Sequence, residues 1–306
     1  MMLRQSLTLA AALVATSAFA QANTQAPAQT DCLVRISTAP AAWMIRSYDP
    51  FSGETPQATF NITFINDGGG ECRFTPIFDL SQPPFGLSKG AGKEIGYQLV
   101  NLTDSQNVTP WAGRSMITPS TPQLVLAPNE SKTLLYKLVV NQEGAPGAGT
   151  FTQDVTIEAQ GQGFTSFGGA RLVLGLEVLP SARIGLAGAY SMNKGQAVVD
   201  LGELRTGLVQ TPLQLRVNST GSYDLQVVSA NSGKLRLGST DWTVPYTISI
   251  GGHAINLSGP GLLAGPTGTG YRSDSAPMPI QFVIGDANDR RAGTYSDVIS
   301  ISVTAR

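Results

Sequence analysis

The sequence predicts an all-β protein made of two β-sandwich domains, and three observations lead to this prediction. Charged residues make up only 13% of the 306 residues, whereas glycine (34) and proline (19) are abundant, which is typical of short strands joined by many turns. Strand-like segments also recur at short intervals along the chain. Finally, these segments form two sets that look like copies of one plan.

The first twenty residues have the features of a cleavable export signal. Arg4 provides a positive start, residues 7–14 form a short apolar core, and Ala18-Phe19-Ala20 is a small-x-small cleavage site. The apolar core is shorter than the roughly 20 residues that span a bilayer. We therefore expect cleavage after Ala20, an exported mature protein, and a polar, disordered arm over residues 21–31.

The chain has two cysteines, Cys32 and Cys72. In an oxidising compartment such a pair within one domain predicts a disulfide, which would add about 3–4 kcal/mol to stability by restricting the unfolded chain. The alternatives are two free thiols or half of a metal site. No histidine or second cysteine pair lies nearby to complete a metal shell, so no metal is predicted.

The first copy of the plan occupies residues 32–179, the first predicted domain. Alternation is clearest over residues 58–65, where Phe60, Ile62 and Phe64 point to one face. We predict seven strands here, at 32–37, 58–65, 73–79, 95–102, 132–140, 150–158 and 171–179.

Pro180-Ser181 separates this copy from the second, which forms a domain over residues 180–306. The segment Ala148-Gly149-Thr150-Phe151-Thr152 is echoed by Ala292-Gly293-Thr294-Tyr295-Ser296. Seven short strands per copy at this spacing predict an immunoglobulin-like sandwich. The second set is predicted at 183–188, 197–201, 211–218, 222–229, 243–250, 278–284 and 293–305.

The two copies differ at their ends. The first finishes with a strand over 171–179 whose apolar residues lie on one face, and the second has no counterpart to it. A sandwich without this strand exposes an apolar groove and unpaired backbone groups. We expect a strand from another chain to complete it; the alternative is closure from within by residues 183–188. The predicted groove residues are Tyr295, Ile299, Ile301 and Val303.

Several short motifs resemble those of a known family. The segment Ser47-Tyr48-Asp49-Pro50-Phe51-Ser52-Gly53, the placement of the cysteines, Gly96-Tyr97-Gln98-Leu99 and the Ala-Gly-Thr-aromatic strand resemble spore coat protein U-type domains. Two such domains behind a signal peptide resemble the tip subunit of archaic chaperone–usher pili. The second domain departs from this pattern, because it has neither the cysteines nor the Tyr-Asp-Pro motif.

The resemblance implies a complete, adhesive first domain and an incomplete, pilin-like second domain. It implies as partners a periplasmic chaperone, an usher and an adjacent pilin subunit whose N-terminal strand replaces the chaperone. It also implies export through the periplasm to the cell surface. The arm over residues 21–30 has no bulky apolar residue and contains Pro27, which removes a backbone donor. It therefore predicts a chain that receives a strand but donates none.

Apolar residues in loops predict the adhesive surface. We expect the loops over 159–170, 66–72 and 103–122 to share the distal end of the first domain. Exposed apolar side chains on rigid loops indicate a contact surface, here for abiotic or host surfaces. Each residue taken singly is also compatible with packing inside its own loop. The candidate binding residues are Val108, Trp111, Met116, Phe164 and Phe167.

Other classes of function fit the sequence poorly. The single histidine, His253, lies in a predicted hairpin turn, and there is no G-x-S-x-G nucleophile motif. The glycine clusters lack the Lys and Ser/Thr of a phosphate loop, so we predict neither an enzyme nor a cofactor. A net charge of −1 without charge runs argues against nucleic acid. A structural coat protein and a carbohydrate-binding adhesin remain as alternatives.

Overall fold

A computed structural model describes residues 31–90, 94–116, 118, 121–141, 147–265 and 277–306. The predicted signal peptide and all of the predicted arm except Asp31 lie outside these residues. Over the described residues the chain consists of β-strands and one short 3₁₀ helix, Gln162–Phe164. None of the helices in that part of the chain is long and apolar enough to cross a membrane. The all-β prediction is confirmed.

The first sandwich is formed by ten described strands: β1 (Val34–Ser37), β2 (Ala42–Tyr48), β3 (Gln57–Asn66), β4 (Cys72–Leu80), β5 (Tyr97–Asn101), β6 (Gln106–Asn107), β7 (Leu124–Leu126), β8 (Ser131–Val140), β9 (Gly149–Gln160) and β10 (Ser166–Val178). They form two five-stranded sheets, with the orders β1-β3-β8-β5-β6 and β2-β10-β9-β4-β7. In the second of these sheets, β10 lies between β2, to which it is parallel, and β9, to which it is antiparallel.

The described strands of the second sandwich are β11 (Ala182–Gly188), β12 (Ser191–Asn193), β13 (Gln196–Val198), β14 (Gly207–Leu208), β15 (Leu213–Ser219), β16 (Tyr223–Ser229), β17 (Lys234–Leu237), β18 (Thr243–Ile250), β19 (His253–Ile255), β20 (Gly261–Ala264), β21 (Met278–Ile284), β22 (Tyr295–Ser296) and β23 (Ile299–Ala305). Its large sheet has the order β11-β15-β21-β18-β17-β22; β14 also pairs with β21, and β19 with β18. A three-stranded sheet, β20-β16-β23, lies opposite, and β12 and β13 form a separate ribbon.

Each sandwich has its own hydrophobic core. The first is centred on Trp43, which is fully buried, stacks on Phe60 with ring centroids 4.9 Å apart and lies 6.0 Å from the ring of Tyr136. The predicted inward face of β3 is confirmed, because Ile62 and Phe64 are buried and Phe60 packs against the core. Such aromatic pairs add to the stabilisation that burial itself provides.

The disulfide prediction is confirmed. Cys32 and Cys72 are bonded, with their Cα atoms 5.2 Å apart. The bond ties the segment before β1 to the start of β4, at the end of the sandwich where the 66–72 loop lies.

The sequence reading missed strand β2, which contains Trp43. It also extended the last strand too far, because residues 293–305 form two strands rather than one. Tyr295 lies in β22, which pairs with β17 of the large sheet, whereas β23 pairs with β16 of the opposing sheet. Asp297 and Val298 between them allow the chain to change sheets.

Candidate functional site

The two sandwiches share one topology, which allows strand-by-strand comparison. In one sheet β1, β3, β8 and β5 correspond to β11, β15, β21 and β18; in the other, β9, β4 and β7 correspond to β23, β16 and β20. The counterparts of β2 and β10 are missing from the second sandwich over the residues that the structure describes. The two sandwiches therefore differ at one edge of one sheet, beside β9 in the first and beside β23 in the second.

In the first sandwich this edge is filled by β10. Leu172, Leu174 and Leu176 face the core and are almost completely buried, and they pair with Val155, Gln153 and Phe151 of β9. A leucine buried to this degree stabilises a fold by about 2 kcal/mol relative to an exposed one. Strand β10 therefore supplies a main-chain ladder and a large part of the core at the same time.

In the second sandwich the corresponding edge belongs to β23 and is open. β23 pairs with β16 on one side, and no described strand pairs with its other side. Its inward row, Ile299, Ile301 and Val303, packs against the core but is only partly buried. The matching row of β9, formed by Val155, Ile157 and Ala159, is fully buried.

The opposite wall of this opening is β11. Ile184 and Leu186 pair with Val217 and Leu215 of β15, two buried residues, so their side chains point towards the core. Even so, Ile184 is 36% exposed and Leu186 is only partly buried. We define the strand groove as the opening bordered by Ile184, Leu186, Ile299, Ile301 and Val303. Sequence reasoning predicts its β23 side but not its β11 side, because the repeat offers residues 183–188 only as a strand that closes the sandwich.

Strand β23 is firmly anchored at its start in spite of its open edge. Asp297 Oδ2 accepts hydrogen bonds from Tyr246 Oη at 2.7 Å and Ser229 Oγ at 2.5 Å. Asp297 Oδ1 accepts the backbone N–H groups of Asn231 and Val298, at 3.0 and 2.7 Å. Burial and the bond to Asp297 raise the pKa of Tyr246 above its usual value. These hydrogen bonds thus hold β23 in place at the Asp297 end of the strand groove.

Tyr295, the fourth predicted groove residue, lies outside the strand groove. It is partly buried in β22, where it pairs with Leu237, and its hydroxyl donates to the Arg291 carbonyl at 3.1 Å. The sequence repeat placed it in line with Ile299, but the change of sheet at Asp297 separates the two.

The distal end of the first sandwich carries the most exposed of the predicted binding residues. Phe164 is 81% exposed, whereas Phe167 is partly buried and packs against the core. Next to Phe167 in β10, Gly168 passes so close to the Val34 carbonyl that a Cβ atom would lie 1.8 Å from its oxygen. Only glycine fits this approach. It places the 161–168 loop beside the start of β1, where the exposed Leu33 extends the apolar surface.

The neighbouring 66–72 loop is held by a buried asparagine. Asn66 Nδ2 donates to the carbonyls of Gly70 and Leu126 at 2.8 and 3.2 Å, and its Oδ1 accepts the Gly68 N–H at 2.9 Å. On the surface of the same loop, the Arg35 guanidinium donates to Asp67 and lowers the pKa of that carboxyl. We call the end formed by the 66–72 loop, Leu33, Phe164 and Phe167 the distal surface.

The middle of the 103–122 segment, around Gly113, does not lie at this end. Its Gly113 carbonyl accepts the Leu80 N–H at 2.7 Å, and Leu80 pairs with Val155 of β9. Val155 precedes Gln160, after which the distal loop begins, by five residues, about 17 Å at roughly 3.4 Å per residue. Residues 113–115 run along the edge of β4, so this part of the segment is set back from the distal end, whereas β7, which follows the segment, pairs with Cys72 and Phe74 at that end.

Of the three candidates in that segment, Trp111 lies apart from Phe164. Trp111 is 53% exposed and stacks on Phe85, with ring centroids 6.0 Å apart. Met116 is 76% exposed and follows Ser115, which bonds to Phe78 of β4. Val108 is partly buried and packs against the core. Leu33, which sequence reasoning missed, is an exposed apolar side chain at the distal end.

Comparisons with known proteins give similarities of low identity. No family model matches this chain, and no curated protein matches it. A chain of the CsuC–CsuE chaperone–tip adhesion subunit pre-assembly complex, from the archaic chaperone–usher Csu pili of Acinetobacter baumannii, has 14% identity and a TM-score of 0.42, covering 88% of this chain and 99% of that one.

Two structures from enterotoxigenic Escherichia coli are also similar. CfaE, the adhesive subunit of CFA/I fimbria, has 13% identity and a TM-score of 0.39 over 86% of this chain and 91% of its own. The CooA pilin subunit has 14% identity and a TM-score of 0.33 over 48% of this chain and 99% of its own. Values this low do not assign the chain to a family, and the resemblance to spore coat protein U-type domains gains no support from them.

Proposed function

We propose that this protein is an adhesive subunit at the tip of a chaperone–usher type surface fibre, joined to the fibre through its second sandwich. The observation that supports this most strongly is the open edge of β23 above a row of partly buried side chains. An unpaired edge over an apolar groove is costly and prone to uncontrolled pairing, and an added strand would satisfy its backbone groups and cover the row.

The first sandwich supplies a template for the missing strand. An inserted strand that follows β10 runs antiparallel to β23 and presents apolar side chains at alternate positions. In the first sandwich the Cα atoms of β1, the counterpart of β11, come within 8 Å of both β9 and β10. A strand can therefore be added beside β23 while β11 stays in the opposite sheet.

The proposed partners follow from this arrangement and from the family resemblance. A periplasmic chaperone fills the strand groove after export, the adjacent pilin subunit replaces it with its N-terminal strand, and an usher carries the assembly to the cell surface. The distal surface, at the opposite end of the first sandwich, is then presented to abiotic or host surfaces.

A peptide titration tests the groove. A synthetic peptide copying residues 166–179, which occupy the equivalent place in the first sandwich, is titrated into the full mature chain, along with other peptides that have apolar residues at alternate positions. We expect the second sandwich alone to show a higher Tm, because a ligand that binds only the folded form stabilises it by mass action. The matched variant Ile301→Asp should lose the effect. A second sandwich indifferent to every peptide would overturn the proposal.

Adsorption tests the distal surface. The double variant Phe164→Ser, Phe167→Ser should lose attachment to a hydrophobic sensor, while Leu262→Ser, which removes an equally exposed side chain from the second sandwich, should retain it. Trp111→Ser should also retain attachment, because Trp111 lies away from the distal surface. Attachment that survives the double variant, or that a particular sugar inhibits, would contradict hydrophobic binding there.

A further inference from the structure

The junction between the two sandwiches is held by one buried residue, Thr220. Its hydroxyl accepts the Ser181 N–H at 2.8 Å and lies 3.0 Å from the Leu179 carbonyl. Its backbone N–H donates to the Ser181 carbonyl at 2.9 Å, and its carbonyl accepts the Ala148 N–H at 2.7 Å. These bonds hold the linker and the start of β9 against the end of β15. The position of the first sandwich relative to the second is therefore fixed at the junction.

A cleft of about 540 Å³ lies beside this junction. Asp49 and Phe51 of the first sandwich form one side, and residues 303–305 of β23 and Arg183 of β11 form the other. The Arg183 guanidinium lies 5.0 Å from the centre of the Phe51 ring. The cleft is continuous with the strand groove, because both are bordered by Val303. Its volume is within the range of sites that bind small ligands or short chain segments.

The direction of the proposed inserted strand determines which of its ends meets this cleft. β23 runs towards the junction and ends there at Ala305. A strand antiparallel to it, as β10 is to β9, begins beside Ala305 and runs away from the junction. In the first sandwich the β10 ladder begins with Ser166, which pairs with Gln160, followed by Phe167, which packs against the core. The corresponding residues of an inserted strand lie in the cleft.

We propose that the cleft binds the amino-terminal end of the inserted strand, with Asp49 paired to its α-ammonium group and Phe51 packed against its first side chain. This inference rests on the function proposed above. Asp49 Oδ1 accepts the Phe51 N–H at 3.0 Å, and a carboxylate has further acceptor positions. The first sandwich thereby favours a strand that starts a chain over one that lies within a chain, and so favours the adjacent subunit over a chaperone strand.

Peptides that differ only at the amino terminus test this. The copy of residues 166–179 is prepared with a free amine and with an acetyl cap, and its Kd for the full mature chain is measured by calorimetry. We expect the free amine to bind roughly threefold to fivefold more tightly, as for a solvent-accessible charge pair. The preference should disappear in Asp49→Asn. It should persist in Asp104→Asn, a matched control whose Oδ1 likewise accepts the N–H two residues on, of Gln106 at 3.1 Å.

The possible outcomes separate this inference from the function on which it rests. If neither peptide binds, the proposed function fails as well. If both bind with one Kd, or if Asp49→Asn retains the preference, the cleft assignment alone is overturned. Phe51→Ala gives a second test, because it should weaken both peptides equally. An unchanged Tm of the first sandwich verifies that each variant is folded.

Discussion

The edges of β9 and β23 form the most instructive comparison in this molecule. Both strands occupy the same place in the same topology, and both present an alternating apolar row to a core. β9 is covered by β10 and its row is fully buried, whereas β23 has an open edge and its row is only partly buried. An alternating apolar row therefore contributes more to stability in β9 than in β23, because only β9 has a neighbouring strand that covers the row.

The difference also fits the proposed roles of the two sandwiches. The first sandwich contains a disulfide, a filled edge and a core centred on Trp43. The second sandwich has none of the cysteines, and it has the open strand groove. This contrast is what the proposal expects of a binding sandwich with a complete fold attached to an assembly sandwich with an open edge.

Removal of the disulfide should cause the largest change in the stability of one sandwich relative to the other. Replacing Cys32 and Cys72 together with serine should lower the stability of the first sandwich by about 4 kcal/mol, because the bond closes a long loop. Calorimetry should show one thermal transition moving and the other staying. If both transitions moved together, the sandwiches would not unfold as separate units.

A matched isoleucine pair sharpens the comparison further. Ile157→Ala in β9 should cost about 3 kcal/mol, because a fully buried side chain leaves a cavity. Ile301→Ala at the equivalent place in β23 should cost only about 1 kcal/mol, because its side chain is already partly exposed. Denaturant unfolding of each variant measures both values. Equal losses would mean that the β23 row is as well covered as that of β9.

The Asp297 network tests whether β23 is held without a second neighbour. Asp297→Ala should destabilise the second sandwich by about 2 kcal/mol, because the hydroxyl of Tyr246 and two backbone N–H groups lose their acceptor. Asp241→Ala, at an exposed loop position, should change stability by less than about 0.5 kcal/mol. Equal effects of the two variants would show that β23 does not depend on this anchor.

Local pattern was sufficient to predict the rows on β3, β10 and β23, because alternation reports which face of a strand is buried. The disulfide was also predictable from the two cysteines. Strand β2 was missed, since its short apolar run, Trp43 to Ile45, precedes a turn and its partner β10 is more than 120 residues away in the chain. Trp111 was misplaced for a similar reason. The position of Trp111 depends on how the connection between β6 and β7 pairs with β4, and the alternation of apolar and polar residues does not predict that pairing.

Hydrogen exchange of the backbone amides in β23 and β9 tests the central claim most directly. In the purified monomer, the amides of β23 that face the open edge should exchange orders of magnitude faster than those of β9, because only the latter are bonded on both sides. Adding the peptide that copies residues 166–179 should bring the rates of β23 close to those of β9. Amides of β23 that are protected as strongly as those of β9 in the monomer alone would contradict the open groove, and with it the proposed place of this protein in a fibre.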